Sequence, residues 1–175
     1  MDPIHSLANL LASPGLPPEA RLQRTLEAVG HHLDVDRCFL YVRNPARGRG
    51  RIALVWRRDD AVPDPRHPWQ DDTGTLPHQD PLFRAALAAR PSVYVEDVET
   101  AGPEILNREF EHQTFGHRAL VHAHIVADQT LWGILQPCVF GRPRPWTAAE
   151  RAYLGALLPP LQPVVEAYMA GQSVD

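Results

Sequence analysis

The segment LWGILQPCVFGRPRPW, Leu131 to Trp146, joins an apolar run to a turn that is rich in proline and arginine. The apolar part, Leu131–Phe140, is typical of a buried strand. Thr147 follows the turn and Glu150 comes three residues later, which is the spacing of a capping box at the start of a helix. The segment therefore predicts a strand, a turn and the last helix of the chain.

Two predicted hairpins surround this segment in the chain. Asp36–Asn44 and Arg51–Arg58 are joined by a Gly-rich basic loop, and His117–Val126 precedes Leu131–Phe140 across a short turn. Ser92–Val98 adds one shorter strand. Because the strands come as hairpins and not as strand–helix–strand units, we predict an α+β fold with an antiparallel sheet of five or six strands.

Helical patterns flank these strands. Pro18–Leu33 has one apolar stripe, and we expect it to cover one face of the sheet together with Thr147–Met169. Shorter helices are predicted at Pro3–Ala12, Asp80–Pro91 and Pro103–Gly116. The polar, proline-rich stretch Asp59–Gln79 is expected to be a long loop. Pro159, Pro160 and Pro163 predict a break in the last helix, with a restart at Pro160.

Composition limits the function classes. The chain has 175 residues, 44% of them hydrophobic, and a formal net charge of -4. We expect one domain at 17–170, an N-terminal extension at 1–16 and a tail at 171–175, with no output domain. The charge disfavours a nucleic-acid partner, and no apolar stretch is long enough for membrane insertion. The N-terminus lacks the basic start of a secretory signal, so a cytoplasmic protein is predicted.

Charged and thiol groups give no catalytic motif. The basic run Arg43–Arg51 indicates a solvated hairpin loop or, alternatively, a contact for an acidic partner. The sequences RDD and QDD also indicate solvated loops. Cys38 and Cys138 have no metal-type spacing and are expected to be buried free thiols. No nucleophile–base pair or phosphate loop stands out, so we predict that the chain is not an enzyme and has no catalytic residues.

His122 and His124 alternate along one predicted strand, so both point to the same face. Two imidazoles on one face favour a metal if a third ligand joins them, and His112 or His78 is the nearest candidate. His117 would point to the other face of a regular strand. The alternative is two partly buried histidines that hydrogen-bond to the backbone or to a carboxylate. We favour this alternative and predict no metal site.

Three strings resemble the GAF domain, and most closely the GAF domains of cyanobacterial phytochrome-like photosensors. LWGIL followed by RPRPW is similar to the family's Trp-Gly strand and the turn before its last helix. DPLF followed by VYVEDV, and DRCFLYVRN with the strand after it, are similar to the family's helix–strand pair and first hairpin. The resemblance covers roughly Arg21 to Tyr168. It implies N- and C-terminal helices on one face of the sheet and a loop–helix pocket on the other.

The family's bilin chemistry can be compared position by position. The resemblance puts the attachment pair, Cys-His in bilin-binding members, at Asn107 and Arg108. Leu82 stands where some members have a second cysteine, and Cys138 stands where the family has a histidine. Neither asparagine nor leucine forms a thioether, so we predict no covalent bilin and no other cofactor.

The resemblance implies a noncatalytic sensory or regulatory module that acts through a small-ligand pocket, a protein-partner surface or both. We expect the pocket between the sheet and the segment Asp59–Phe115. The side chains predicted to face it are Arg118, His122, His124, Trp132 and Cys138, a set that favours a small anionic or aromatic ligand.

Other functions remain open at this stage. His122 and His124 are bulkier than the family's residues, so one alternative is an interaction or assembly protein with a plugged pocket. Lower alternatives are a noncovalent pigment-binding photosensor and a small redox enzyme. One family branch reduces free methionine sulfoxide, but the chain lacks that branch's several cysteines. The resemblance also implies a homodimer, or contact with a partner protein, through the terminal helices.

Overall fold

The computed structural model describes residues 2–174. Met1 and Asp175, the outer ends of the predicted extension and tail, lie outside the described residues. The described strands are β1 (Arg37–Asn44), β2 (Arg49–Arg57), β3 (Gln70–Asp71), β4 (Val93–Val95), β5 (Ala119–Ala127) and β6 (Thr130–Val139). They form one antiparallel sheet in the order β3-β2-β1-β6-β5-β4. The Trp-Gly strand, β6, lies inside the sheet beside β1.

The helices are α1 (Pro3–Leu11), α2 (Pro18–Leu33), α3 (Leu76–Gln79), α4 (Pro81–Leu87), α5 (Arg108–Thr114) and α6 (Ala148–Ala170). One face of the sheet packs against α1, α2 and α6, and the other against the short helices and loops between β2 and β5. The predicted α+β fold, with the N- and C-terminal helices on one face, is confirmed.

Apolar periodicity explains the helix-covered face. The predicted stripe of α2, from Leu22 to Leu33, is buried and meets Leu154, Leu157 and Leu161 of α6. On β5, the residues Ala119, Val121, Ala123 and Ile125 complete this core. Each fully buried leucine contributes about 1.5–3 kcal/mol. The Thr147 cap and Glu150 form the predicted capping box at the start of α6.

The predicted break in α6 is wrong, because the helix runs without interruption from Ala148 to Ala170 through all three prolines. Pro159 and Pro163 lie on the exposed side of the helix. Pro159 leaves the carbonyl of Gly155 without its helical donor, and that residue is exposed, so water can hydrogen-bond there. Buried Leu157 and Leu161 hold the helix against the sheet on both sides of the Pro159–Pro160 pair.

Other element boundaries also differ from prediction. The strand predicted at Ser92–Val98 is reduced to Val93–Val95, and the helix predicted from Pro103 begins only at Arg108. Asn107 causes the late start, because its side chain accepts a hydrogen bond from the N–H of Phe110 as a helix cap. The stretch predicted as an irregular loop contains β3 and α3.

Because of a β-bulge, the Trp132 side chain lies on the helix-covered face of the sheet and not on the predicted cavity face. In the β5–β6 register Ile125 pairs with Gly133 and Val126 pairs with Leu131, so Trp132 is the extra residue. The bulge resets the alternation, and Trp132 packs with the helix-covered core while Leu131 joins Ile134 on the opposite face.

An ion pair that the sequence did not predict anchors the long loop before α3. Arg43 donates from Nε and Nη2 to the two carboxylate oxygens of Asp72 at 2.8 and 2.9 Å, and Tyr41 donates its hydroxyl to the same carboxylate at 2.9 Å. Both Arg43 and Asp72 are buried. The prediction that the basic loop and the QDD sequence are solvated is therefore wrong for these two residues.

Across residues 2–174, no helix combines the length and the apolar character needed to cross a membrane.

Candidate ligand-binding cavity

A cavity of about 240 Å³ lies between the sheet and the segment from His67 to Phe115. This is the predicted place, opposite the face that α2 and α6 cover. The cavity is smaller than the roughly 300–1,000 Å³ of sites that bind drug-sized ligands, so it suits a molecule of one or two rings. The sheet supplies Phe39, Tyr41, Ile52, His122, Ile134 and Gln136, and the remaining wall residues include Asp80, Phe83, Phe110, Glu111 and Phe115.

Aromatic rings form much of the wall. Phe39 and Phe115 stack with their centroids 5.7 Å apart, and Tyr41 meets Phe83 edge-on at 5.6 Å. Phe110 meets Phe115 at 6.3 Å. Aromatic faces carry partial negative charge, so this lining favours a flat ring or a cation over an anion.

Two buried carboxyl groups face the cavity from α4 and α5. Asp80 caps α4 by accepting a hydrogen bond from the N–H of Leu82 at 3.0 Å, and Glu111 lies in α5 next to the buried His117. Burial and the nearby Glu111 raise the pKa of Asp80 to about 7. Burial raises the pKa of Glu111 to about 8. The two groups therefore add acidic oxygen atoms to the cavity.

His122 and His124 form a hydrogen-bonded pair in which the donor and the acceptor nitrogen can be assigned. Nδ1 of His124 lies 2.8 Å from the carbonyl oxygen of Arg90, and Nε2 of His124 lies 2.8 Å from Nδ1 of His122. Burial lowers the pKa of both rings, which favours their neutral forms.

The carbonyl of Arg90 fixes the protons in this pair. A carbonyl only accepts, so Nδ1 of His124 carries the proton and its Nε2 accepts from Nδ1–H of His122. The neutral His122 ring then has no proton on Nε2. Since His122 lines the cavity, it offers a hydrogen-bond acceptor there.

The structure brings only one of the five predicted site residues into the cavity wall, and this residue is His122. His124 lies behind it, and Trp132 is on the other face of the sheet because of the bulge. Arg118 pairs with Asp97 instead, at 2.6 and 3.1 Å. Cys138 is fully buried outside the cavity lining. Among residues 2–174 no arginine lines the cavity, so the geometry does not support the predicted anionic ligand.

Sequence reasoning missed the acidic part of the site. The sequence predicts Asp80 as a helix cap only, and a capping role does not indicate that the residue also lines a cavity. Glu111 follows Asn107 by one helical turn and is the buried residue of α5. Tyr41 lies in the first strand and Gln136 in the last, and the β1–β6 pairing brings both into the cavity wall.

No metal-ligand group of three or more His, Cys, Asp or Glu occurs among residues 2–174. His112, a proposed third ligand for the histidine pair, instead lies 2.6 Å from a carboxylate oxygen of Glu99. At the bilin-attachment positions, Asn107 is exposed and donates to the carbonyl of Gln79, and Leu82 is buried in the core.

Comparisons with known proteins agree with this architecture. The model of the GAF domain family matches residues 17–158. The structure is similar to the phycocyanobilin-bound GAF domain of a cyanobacterial phytochrome, with a TM-score of 0.74 and 16% identity over 97% of this chain and 98% of that one. A search of curated proteins finds no match.

Two further solved structures share the fold. The GAF domain of an Acinetobacter phosphoenolpyruvate-protein phosphotransferase gives a TM-score of 0.72 at 13% identity, over 99% of this chain and 96% of that one. A free methionine-R-sulfoxide reductase from Neisseria meningitidis gives 0.68 at 15% identity, over 97% and 89%. At these identities the likeness shows the fold, and the family match over most of the sequence, together with the six-stranded sheet and its cavity, shows that this chain belongs to the GAF domain family.

Proposed function

We propose that the protein is a cytoplasmic, noncatalytic sensory module whose cavity binds a small aromatic molecule that is neutral or cationic and donates N–H hydrogen bonds. The observation that carries this proposal is the proton order of the histidine pair, which leaves Nε2 of His122 as an acceptor at the cavity. A ligand that donates an N–H hydrogen bond to Nε2 gains about 0.5–1.5 kcal/mol from that bond.

The rest of the lining supports the same ligand class. Asp80 and Glu111 accept hydrogen bonds when ionised, and a cationic ligand would favour their ionised forms. The aromatic wall suits the face of a flat ring. An anionic ligand would find no arginine in the lining formed by residues 2–174, so the cavity offers an anion no pairing with a guanidinium.

A signal could reach the helices through β6. Ile134 and Gln136 of this strand line the cavity, while Leu135 between them packs in the helix-covered core with α6. A change in the position of β6 on binding therefore acts directly on the packing of α6. The exposed side of α6 is available to a partner protein or to a second copy of the chain.

Benzamidine and benzoate make a matched pair of probes, because they have the same ring and size but opposite charge and hydrogen-bonding character. We expect benzamidine and aminopyridines to raise the melting temperature, and benzoate to leave it unchanged. His122→Ala should weaken benzamidine binding by roughly tenfold, the value of about one hydrogen bond. Arg118→Ala serves as the control, since Arg118 pairs with Asp97 outside the cavity.

Stabilisation by benzoate alone would contradict the ligand class. If no compound of a wider heteroaromatic panel binds the wild-type protein, the proposal of a ligand sensor fails. A module that acts only through its surface would then be the better interpretation.

A further inference from the structure

Gln136 is a polar side chain in the cavity wall that has no hydrogen-bond partner within the protein. The residue is 4% exposed and lines the cavity from β6. Within residues 2–174, no group hydrogen-bonds to its side-chain amide. An amide offers one acceptor oxygen and two N–H donors. Because this amide is shielded from bulk solvent, its hydrogen bonds are available to a molecule inside the cavity.

His122 lies next to Gln136 on the neighbouring strand. The β5–β6 register pairs Ala123 with Leu135. One residue further along each strand, the same register places His122 opposite Gln136. Opposite side chains of an antiparallel pair have Cβ atoms about 4.5–5.5 Å apart. No hydrogen bond joins these two side chains, so Nε2 of His122 and the amide of Gln136 form one polar edge that faces the cavity.

Phe39 limits this polar edge on its other side. It pairs with Gln136 across β1 and β6, and it also lines the cavity. Three neighbouring strands therefore present an acceptor nitrogen, an amide and an apolar ring, in that order. The polar part is only as wide as His122 and Gln136 together, which matches one short polar edge of a ligand ring.

We propose that His122 and Gln136 recognise one chemical unit, a ring nitrogen bonded to a carbon that carries an amino group, as in 2-aminopyridine. The ring nitrogen accepts a hydrogen bond from the amide N–H of Gln136, and one amino N–H donates to Oε1 of Gln136. The other amino N–H donates to Nε2 of His122. This inference narrows the ligand class of the proposed function and rests on that function.

The two hydrogen bonds to Gln136 follow a known geometry. Asn and Gln side chains bind the amino group and the adjacent ring nitrogen of adenine through the same pair of bonds. Other ring edges fit less well. A ring without a nitrogen beside the amino group leaves the N–H of Gln136 without an acceptor, and so does a ring nitrogen that is protonated. A carbonyl or carboxylate edge has no N–H for Nε2 of His122. We therefore expect the neutral form of the ligand to bind.

Two isomers of one compound test the recognised unit. The amino group of 2-aminopyridine is next to the ring nitrogen, whereas that of 3-aminopyridine is one position further away, and both isomers are neutral at mildly alkaline pH. We expect calorimetric titration of the wild-type protein at that pH to give about fivefold tighter binding of 2-aminopyridine, the value of about one hydrogen bond.

Gln136→Met tests whether the amide causes this preference, because the variant keeps the length of the side chain and removes its polar atoms. It should bind the two isomers equally. Gln113→Met is the matched control, since Gln113 is exposed on α5 and lies outside the cavity lining. This control should keep the preference for 2-aminopyridine. NMR signals of the Gln136 side-chain amide give a second readout that needs no variant, and they should shift more with 2-aminopyridine than with 3-aminopyridine at saturation.

Equal binding of the two isomers to the wild-type protein would overturn the inference and leave the proposed function intact. A preference for 2-aminopyridine that persists in Gln136→Met, or an amide signal of Gln136 that does not move at saturation, would also overturn it. If benzamidine binds and neither isomer does, the inference fails alone. If nothing in the wider heteroaromatic panel binds, it fails together with the proposed function.

Discussion

At the scale of single residues, Asp72 shows how one buried group organises a surface segment. Its carboxylate accepts from two nitrogens of Arg43 and from the hydroxyl of Tyr41, and it is completely buried. Tyr41 also lines the cavity. The anchoring of the long loop and the shape of the cavity wall therefore depend on the same carboxylate.

Asp72→Ala should be strongly destabilising. The substitution leaves Arg43 as a buried cation without its partner, and the loss of one partner of such a pair costs about 3–5 kcal/mol. Denaturant unfolding followed by circular dichroism measures this loss. Asp60→Ala in the exposed loop should change the unfolding free energy by less than about 0.5 kcal/mol. Equal effects of the two substitutions would contradict the anchoring role of Asp72.

Glu111 should make stability depend on pH in a defined direction. Burial raises its folded-state pKa to about 8, so the unfolded chain releases this proton at a lower pH than the folded chain does. The stabilisation is complete below the ordinary pKa of about 4.3 and is lost as pH rises through about 8. Cys138 changes the unfolding free energy with pH in the opposite direction, because its net pKa shift is downward. The effect of Glu111 is therefore measured as the difference between wild type and a Glu111 variant.

Between pH 6.5 and 8, the stability of Glu111→Gln relative to wild type should rise by about 1 kcal/mol per pH unit. Unfolding free energies at several pH values measure this difference. Glu109→Gln, an exposed neighbour on the same helix, should follow the wild-type curve. A constant difference between Glu111→Gln and wild type over this window would show that Glu111 is ionised in the folded protein.

At the scale of elements, β6 shows that the burial of a strand can be predicted from its sequence pattern, whereas a bulge depends on how the strand pairs. Its apolar composition predicted a buried strand, and the second predicted hairpin placed it beside β5. The bulge at Trp132 left no signal in that pattern, because it is a property of how β6 pairs with β5. The reversed direction of Trp132 therefore could not be predicted from alternation alone.

Two Gly→Ala substitutions should have opposite effects. A Cβ at Gly133 would lie 2.6 Å from the backbone carbonyl oxygen of Tyr41, so Gly133→Ala should force β1 and β6 apart and lower stability. A Cβ at Gly155 in the exposed part of α6 meets nothing within 4 Å. Gly155→Ala should raise stability by about 0.5–1 kcal/mol. Thermal unfolding of both variants measures the signs, and a stabilising Gly133→Ala would contradict the close strand approach.

At the scale of the whole molecule, hairpins and amphipathic helices predicted the α+β layers, and the resemblance to the GAF domain supplied the expected place of the cavity. The chemistry inside the cavity was not predictable in the same way. Asp80, Glu111 and His122 come from three separate elements, and their meeting depends on the path of the chain between them. The proton order of the histidines also required the backbone carbonyl of Arg90, which no side-chain pattern reveals.

Assembly through the terminal helices stays a prediction. The exposed side of α6 consists largely of small apolar residues, Ala152, Ala156, Pro159, Pro163 and Ala167. We expect light scattering to give a dimer at tens of micromolar, and Ala156→Glu to convert it to a monomer. Thr100→Glu, an exposed position outside the helices, is the control. A monomeric wild-type protein would contradict the prediction.

The most direct test of the central claim is the nitrogen-15 NMR signal of the His122 side chain. We predict an unprotonated Nε2 and a protonated Nδ1 from pH 6 to 8, and a large shift of Nε2 when benzamidine or an aminopyridine saturates the protein. A proton on Nε2 in the free protein, or an Nε2 signal that does not move at saturation, would contradict a cavity built to accept hydrogen bonds from its ligand.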